Sequence, residues 1–185
     1  IQIPIGAEDN FAGLIDLLSM RAVYFVEAGQ GTRFEERAIP DDLMPEAERW
    51  RHDLVEHVSE TCDVLMDKYL SDDPIGEGEL RVALRSATIA NKLQPVLCGS
   101  ALRYKGVQRL LDAVCDFLPS PLDLPPTKAE SADDKGRIVT LAPDPAAPLV
   151  AFVFKIVAEK PVDLYYLRIY SGTLKPASRV INPAI

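Results

Sequence analysis

Residues 94–118 constrain the fold of this chain most strongly, because a short apolar run, a small-residue turn and a helix pattern follow one another. Residues 95–98 form an apolar run typical of a central parallel strand, and Gly99-Ser100-Ala101 ends it. From Gly106 onward apolar residues recur at helical spacing: Val107, Leu110, Leu111, Val114, Cys115, Leu118. In such strand–turn–helix units ligands bind beyond the carboxyl end of the strand, so residues 98–101 are a candidate binding edge.

The turn of small residues has two interpretations. Gly, Ser and Ala let backbone amides approach a ligand closely, which favours a binding role. The same residues also suit a tight turn between strand and helix that binds nothing. The residues of the turn alone leave both interpretations open.

Proline density divides the chain after residue 118. Seven prolines between positions 119 and 148 predict a stiff linker over residues 119–148. Residues 149–157 and 164–170 then have strand patterning, but two or three strands cannot close a barrel. We therefore expect residues 149–185 to be the incomplete N-terminal part of an all-β domain.

Within the first 93 residues, the spacing of apolar residues changes from a period of two to a period of 3.6. Alternating and β-branched residues predict a meander whose strands cover residues 1–5, 11–15, 20–26 and 34–39. Asp16 is expected to face outward, and residues 29–32 are expected to form a turn. Three helices are predicted from about residues 41, 61 and 77, and the first has an apolar stripe: Leu43, Ala47, Trp50, Leu54, Val58.

Negative charge is concentrated in these helices. Residues 41–80 contain 13 acidic and three basic residues, a local net charge of −10, whereas the whole chain carries −8. Asp53, Glu56 and Glu60 fall at i, i+3 and i+7, which predicts an exposed acidic row on the first helix. Both a solvated helix face and a docking site for a basic partner explain such a row. The acidic balance disfavours a large nucleic-acid interface.

Cysteine and histidine spacing argues against a disulfide framework and against a metal site. Cys62, Cys98 and Cys115 are odd in number and lack metal-ligand spacing. His52 and His57 are five residues apart, not four as in a helical metal pair. Reduced cysteines predict a cytoplasmic location, and no apolar run is long enough for a membrane span.

Nucleotide chemistry has only partial support in the residues. The phosphate-binding pattern G-x-x-x-x-G-K-[ST] and the guanine-reading pattern N-K-x-D do not occur. We therefore predict no catalytic residues and no nucleotide hydrolysis by this chain alone. A basic-aromatic cluster, interpreted as a solvated helix start with nucleic-acid contact as the alternative, lies beside the small-residue turn: Arg103, Tyr104, Lys105, Arg109.

Three blocks of the sequence, in the same order, resemble bacterial elongation factor G, a translational GTPase. They are IPIGAEDNFAGLIDLLSMRA at residues 3–22, CGSALRYKGVQRLLDAVCDFLPSPLD at residues 98–123, and FKI…RIYSGTLK within residues 154–175. The second block resembles the last guanine-binding motif and last helix of the GTPase domain. Together the blocks cover the chain nearly from end to end.

The resemblance implies a fragment of α/β class followed by the first strands of an all-β barrel. Residues 1–118 would be the C-terminal part of a P-loop GTPase domain, with an α+β insert over about residues 6–93 and the guanine motif over residues 94–118. Residues 149–185 would begin β-barrel domain II. Gly99, Ser100 and Ala101 would present backbone N–H groups to the guanine carbonyl oxygen. GTP or GDP and Mg²⁺ would be held in the parent by residues upstream, with no cofactor expected in the fragment.

The same resemblance implies a parent that hydrolyses GTP to drive translocation on the ribosome. The basic C-terminal domain of the ribosomal stalk protein would dock on the acidic row of Asp53, Glu56 and Glu60. No membrane partner and no sequence-specific nucleic-acid partner is expected.

Departures from the elongation-factor-G pattern leave alternatives open. Residues 157–167 are one residue shorter than usual, Asp163 stands where Gly is expected, and Ala177 replaces the Gly of a turn. These changes favour a divergent paralogue. One alternative is a ribosomal protection or peptide-release factor of the same architecture. Another, of a different class, is a stand-alone acidic protein-interaction module without a nucleotide role.

Overall fold

A computed structural model describes residues 1–26, 33–131, 134 and 136–182. The chain divides into two compact units, Ile1–Leu118 and Pro119–Ile185. The division falls where the proline-rich stretch begins. Helices and strands are both present, as the mixed fold class predicts. The turn predicted at residues 29–32 lies outside the described residues.

The first unit begins with a four-stranded antiparallel sheet of consecutive strands, which confirms the predicted meander. The strands are β1 (Gln2–Ile5), β2 (Gly13–Asp16), β3 (Arg21–Phe25) and β4 (Phe34–Arg37). All of β2 is buried because its two faces pack in two different clusters. Ile15 packs with Ala47 on one face, and Leu14 packs with Val23 on the other.

Asp16 is buried, so the prediction that it faces outward is wrong. Its Oδ1 accepts hydrogen bonds from the backbone N–H of Leu18 at 2.9 Å and of Ser19 at 3.3 Å. The Arg51 guanidinium donates to the carbonyls of Leu17 at 2.6 Å and Leu18 at 3.0 Å. The carboxylate therefore satisfies the backbone of the β2–β3 turn from inside, as a buried charge requires.

Four α-helices among the described residues complete the first unit: α1 (Met44–Ser59), α2 (Asp63–Leu70), α3 (Glu77–Ile89) and α4 (Val107–Phe117). The three helices predicted before residue 93 are confirmed. Trp50 departs from the predicted stripe of α1, because its side chain is 42% exposed. A helical core joins the turn after β2 to these helices: Leu18, Val58, Leu65, Leu80, Ala83, Leu84, Ala113, Phe117.

Residues 95–98 are not a strand, which corrects the predicted strand of the guanine motif. The Val96 carbonyl accepts a hydrogen bond from the Ile1 amino group at 3.1 Å, and Cys98 N–H donates to Gln2 Oε1 at 3.4 Å. Among the described residues no strand pairs with this segment. A central parallel strand needs a backbone ladder, and one backbone bond to Ile1 does not provide it. Burial raises the pKa of the Cys98 thiol.

Helix α4 leaves the predicted apolar stripe uncovered. Ala113 and Phe117 pack into the helical core. Four large apolar side chains of the stripe are between 44% and 60% exposed: Leu110, Leu111, Val114, Leu118. The helix was predicted correctly, but its buried face differs from its most apolar face.

In the described part of the second unit, the strands form two antiparallel pairs. Strands β5 (Thr127–Glu130) and β6 (Ile138–Leu141) pair within the segment predicted as a linker, so residues 119–148 are not linker throughout. Strands β7 (Val150–Val157) and β8 (Leu164–Ser171) confirm the strand patterning after residue 149. Ala177, which stands where the resemblance places Gly, has a left-handed backbone with φ of +58°. No helix of the described residues is long and apolar enough to cross a membrane.

Candidate functional site

The small-residue turn belongs to a closed loop over residues 99–106, which connects residues 95–98 to α4. Ser100 N–H donates to the Lys105 carbonyl at 2.8 Å, and Lys105 N–H donates to the Ser100 carbonyl at 3.0 Å. A short 3₁₀ turn, Ala101–Arg103, fills the loop, and Tyr104 reverses the chain with φ of +55°. The reciprocal pair of hydrogen bonds therefore fixes both ends of the loop.

Two glycines allow the ends of the loop to approach each other. A Cβ atom on Gly99 would lie 2.8 Å from the Lys105 carbonyl oxygen. Gly106 has φ of +86°, and its Cβ atom would lie 3.0 Å from the Cys98 carbonyl oxygen. Only glycine fits such contacts and such a φ without strain. The close approach of the two ends of the loop thus explains why glycine occupies both position 99 and position 106.

The amides of the loop are not equally available to a ligand. Ser100 N–H is engaged with Lys105 and cannot donate to a ligand while the loop is closed. Ala101 is exposed, and its N–H has no acceptor among the described residues. Of the three predicted site residues, Gly99 permits close packing, Ser100 closes the loop, and Ala101 supplies the open donor. One open N–H suits a carbonyl acceptor on a ligand.

Lys105 and Arg103 attach the loop to the connection between β1 and β2. The Lys105 side chain is buried, and its Nζ donates to the Phe11 carbonyl at 2.8 Å. Arg103 donates to the Asp9 carbonyl at 3.1 Å and forms an ion pair with Asp9 Oδ1 at 2.5 Å. The interpretation of this cluster as a solvated helix start is therefore wrong for Lys105, whereas Arg103 and Tyr104 are exposed.

Arg109 attaches the start of α4 to β4. Its guanidinium pairs with the Glu36 carboxylate and lies 4.7 Å from the ring centroid of Phe34. Its sequence separation from Glu36 is 73 residues, and Lys105 is 94 residues from Phe11. No local pattern connects partners so far apart, so sequence reasoning missed these contacts.

The predicted acidic row lies along the end of α1 and includes Glu60, the residue that caps the helix; Glu56 and Glu60 are exposed and Asp53 is half-buried. Desolvation, followed by the negative charges of Glu56 and Asp53, raises the pKa of Tyr69 on α2. A cavity of about 600 Å³ beside α1 and α2 is lined by residues from both helices and the following loop: Glu48, Arg51, His52, Val55, Tyr69, Leu70, Asp72, Asp73, Ile75.

The two histidines of α1 make local contacts. His57 Nδ1 lies 2.7 Å from the Asp53 carbonyl oxygen, and His52 Nε2 lies 3.3 Å from the Tyr69 hydroxyl. The described residues contain no group of three or more His, Cys, Asp or Glu side chains that could hold a metal ion.

Comparison with known proteins identifies what the chain is similar to. No protein-family model matches it. Elongation factor G of Thermotoga maritima is 46% identical over 183 residues, which are 98% of this chain and 26% of that protein. A crystal structure of a Thermus thermophilus protein matches with a TM-score of 0.68 and 26% identity over 96% of this chain and 24% of that one. The chain thus spans about a quarter of each, and the predicted resemblance is confirmed.

Proposed function

We propose that this chain is a segment of an elongation-factor-G-like translational GTPase, whose parent hydrolyses GTP to drive movement on the ribosome. The identity of 46% over 98% of the chain carries this proposal. In this assignment residues 1–118 are the C-terminal part of the GTPase domain, with the insert over about residues 6–93. Residues 149–185 begin the β-barrel domain.

Exposed apolar surface supports the assignment to a larger protein. The stripe on α4 and several side chains of β7 and β8, among them Phe152 and Phe154, are about half exposed or more. Contiguous apolar surface of this kind is typical of faces that pack against further polypeptide. In the parent, both units would bury these faces against segments outside this sequence.

Within the parent, the loop of residues 99–106 would recognise the guanine base. Ala101 N–H is the donor that we assign to the guanine O6 atom. Ser100 would hold the loop closed instead of contacting the base. Residues outside this sequence would bind the phosphates and Mg²⁺, and the Mg²⁺ would neutralise negative charge on the phosphate oxygens. An adenine base offers an amino group at the same position, so a backbone donor discriminates against it.

Competition between GDP and ADP for the full-length protein tests the nucleotide role. Ala101→Pro removes the N–H, and the extended backbone of Ser100 (φ −128°, ψ 99°) lies outside the helical region that a following proline disfavours. Losing one hydrogen bond of about 1.5 kcal/mol corresponds to roughly tenfold weaker GDP binding. The matched variant Ala101→Ser keeps the N–H and is expected to bind GDP as the wild type does. Equal binding of GDP and ADP by the wild type would contradict the guanine assignment.

We propose that the acidic row of Asp53, Glu56 and Glu60 docks a basic partner, the C-terminal domain of the ribosomal stalk protein. The concentration of negative charge on residues 41–80 supports this proposal, since opposite charges steer association. A solvated row would give no specific binding.

Charge removal tests the docking proposal. The triple variant Asp53→Asn, Glu56→Gln, Glu60→Gln is expected to weaken binding of the stalk domain by about tenfold at low salt, since ion pairs at a protein surface contribute about 0.2–1 kcal/mol each. The difference should shrink as salt rises. The control removes three exposed charges from the second unit: Asp134→Asn, Glu159→Gln, Asp163→Asn. Equal weakening by both triple variants would reduce the effect to net charge and remove the site.

A further inference from the structure

We propose that Lys105 is a positioning residue for base recognition, which holds the loop of residues 99–106 against the connection between β1 and β2. The inference rests on the proposed function, because it assigns Lys105 the task of orienting the Ala101 N–H that we assign to guanine. Lys105 does not contact the base in this proposal. It acts through the backbone of the loop.

Both ends of Lys105 are used structurally. Its backbone forms the two hydrogen bonds with Ser100 that close the loop, at 2.8 and 3.0 Å. Its ammonium group crosses to the Phe11 carbonyl at 2.8 Å. The residue is 8% exposed, and a buried ammonium is tolerated only when hydrogen-bonded. Movement of the loop away from Phe11 would therefore break a hydrogen bond of a buried ammonium group.

The segment around Phe11, whose carbonyl accepts the hydrogen bond from Lys105, is itself bonded to the sheet. Phe11 is buried, and its N–H donates to the Glu8 carbonyl at 3.3 Å. The next residue, Ala12, donates to the Ile5 carbonyl of β1 at 2.9 Å. Lys105 thus connects the loop to the four-stranded sheet, in addition to the connections that the chain itself makes at the two ends of the loop.

Arg103 makes a second attachment, but its geometry predicts a smaller effect. The Arg103 side chain is 45% exposed and its partner Asp9 is 92% exposed. Ion pairs between exposed side chains contribute little because water screens them. The buried contact of Lys105 is therefore the one that fixes the orientation of the Ala101 N–H.

Replacing Lys105 by Met in the full-length protein is the direct test. The methionine fills a similar volume but leaves the Phe11 carbonyl without this donor. We expect GDP to bind about tenfold more weakly and ADP to be little changed, so that discrimination between the bases falls. The conservative variant Lys105→Arg keeps a cationic donor and is expected to recover most of the discrimination. Lys92→Met, at an exposed position after α3, is the matched control and should leave both affinities unchanged.

Amide hydrogen exchange separates positioning from general destabilisation. In Lys105→Met we expect the Ser100 amide to exchange at least tenfold faster, while the Leu84 amide in the helical core keeps its protection. Unchanged Ser100 exchange and unchanged discrimination would overturn the inference. If the variant does not fold, amide exchange in the wild type is the test. The amides of Ser100 and Ala12 should then exchange through the same opening motion, and exchange through independent openings would overturn the inference that Lys105 couples the loop to the β1–β2 connection.

The two proposals fail in different ways. A wild-type protein that does not prefer GDP over ADP removes the guanine assignment, whatever Lys105 does. If the wild-type protein prefers GDP and the Lys105→Met and Lys92→Met variants discriminate between the bases equally well, only the positioning role is removed.

Discussion

Replacing Leu80 by Ala is expected to destabilise the first unit by about 3 kcal/mol, within the range of about 2–5 kcal/mol for leucine truncations in cores. Leu80 is 0% exposed and lies in the helical core with residues of the other three helices and of the turn after β2. The truncation removes apolar burial and leaves a cavity that the surrounding helices fill only partly.

Trp50 provides a specific signal for this measurement. It is the single tryptophan of the chain and lies on α1, so its fluorescence during urea unfolding reports on the first unit. Val82→Ala, on the same helix as Leu80 and at a side chain 68% exposed, is the matched control and should change the free energy of unfolding by less than about 0.5 kcal/mol. Equal effects of the two truncations would contradict the placement of α3 in the core.

Gly106→Ala should destabilise the first unit by about 2 kcal/mol, while Gly78→Ala should stabilise it. At Gly106 a left-handed backbone with φ of +86° costs roughly 1–2 kcal/mol for a residue with a Cβ atom, and that atom would also press on the Cys98 carbonyl. At Gly78, in the first turn of α3, a Cβ atom meets nothing within 4 Å. There the gain is about 0.4–1 kcal/mol, because alanine lowers the entropy of the unfolded chain.

The same urea titration followed by Trp50 fluorescence measures both glycine variants. Opposite signs are the expected result, since the two substitutions differ only in the backbone and the space at each position. If both alanines stabilised the unit, the result would contradict the close approach of the backbone at Gly99 and Gly106.

Local periodicity was sufficient for most helices and strands, because it depends on neighbouring residues. The meander and α1 to α3 follow from patterns of period two and 3.6. The apolar run at residues 95–98 could not be assigned in this way, since a strand also needs partners in a sheet. The buried face of α4 depends likewise on what packs beside it, and here that is the core around Phe117.

The candidate site was found through resemblance, and its geometry came from the structure. The three blocks of sequence identified residues 99–101, but all three residues then had the same assigned role. The structure separates Ser100, whose N–H closes the loop, from Ala101, whose N–H is open. The buried roles of Asp16 and Lys105 depend on distant or backbone partners that a linear pattern does not contain.

The structure of the full-length protein bound to GDP tests the central claim most directly. We predict that the guanine O6 atom lies at hydrogen-bond distance, about 2.7–3.2 Å, from the Ala101 nitrogen, with Ser100 and Lys105 still paired. A base bound elsewhere, or an Ala101 N–H turned to an acceptor within the protein, would contradict the claim.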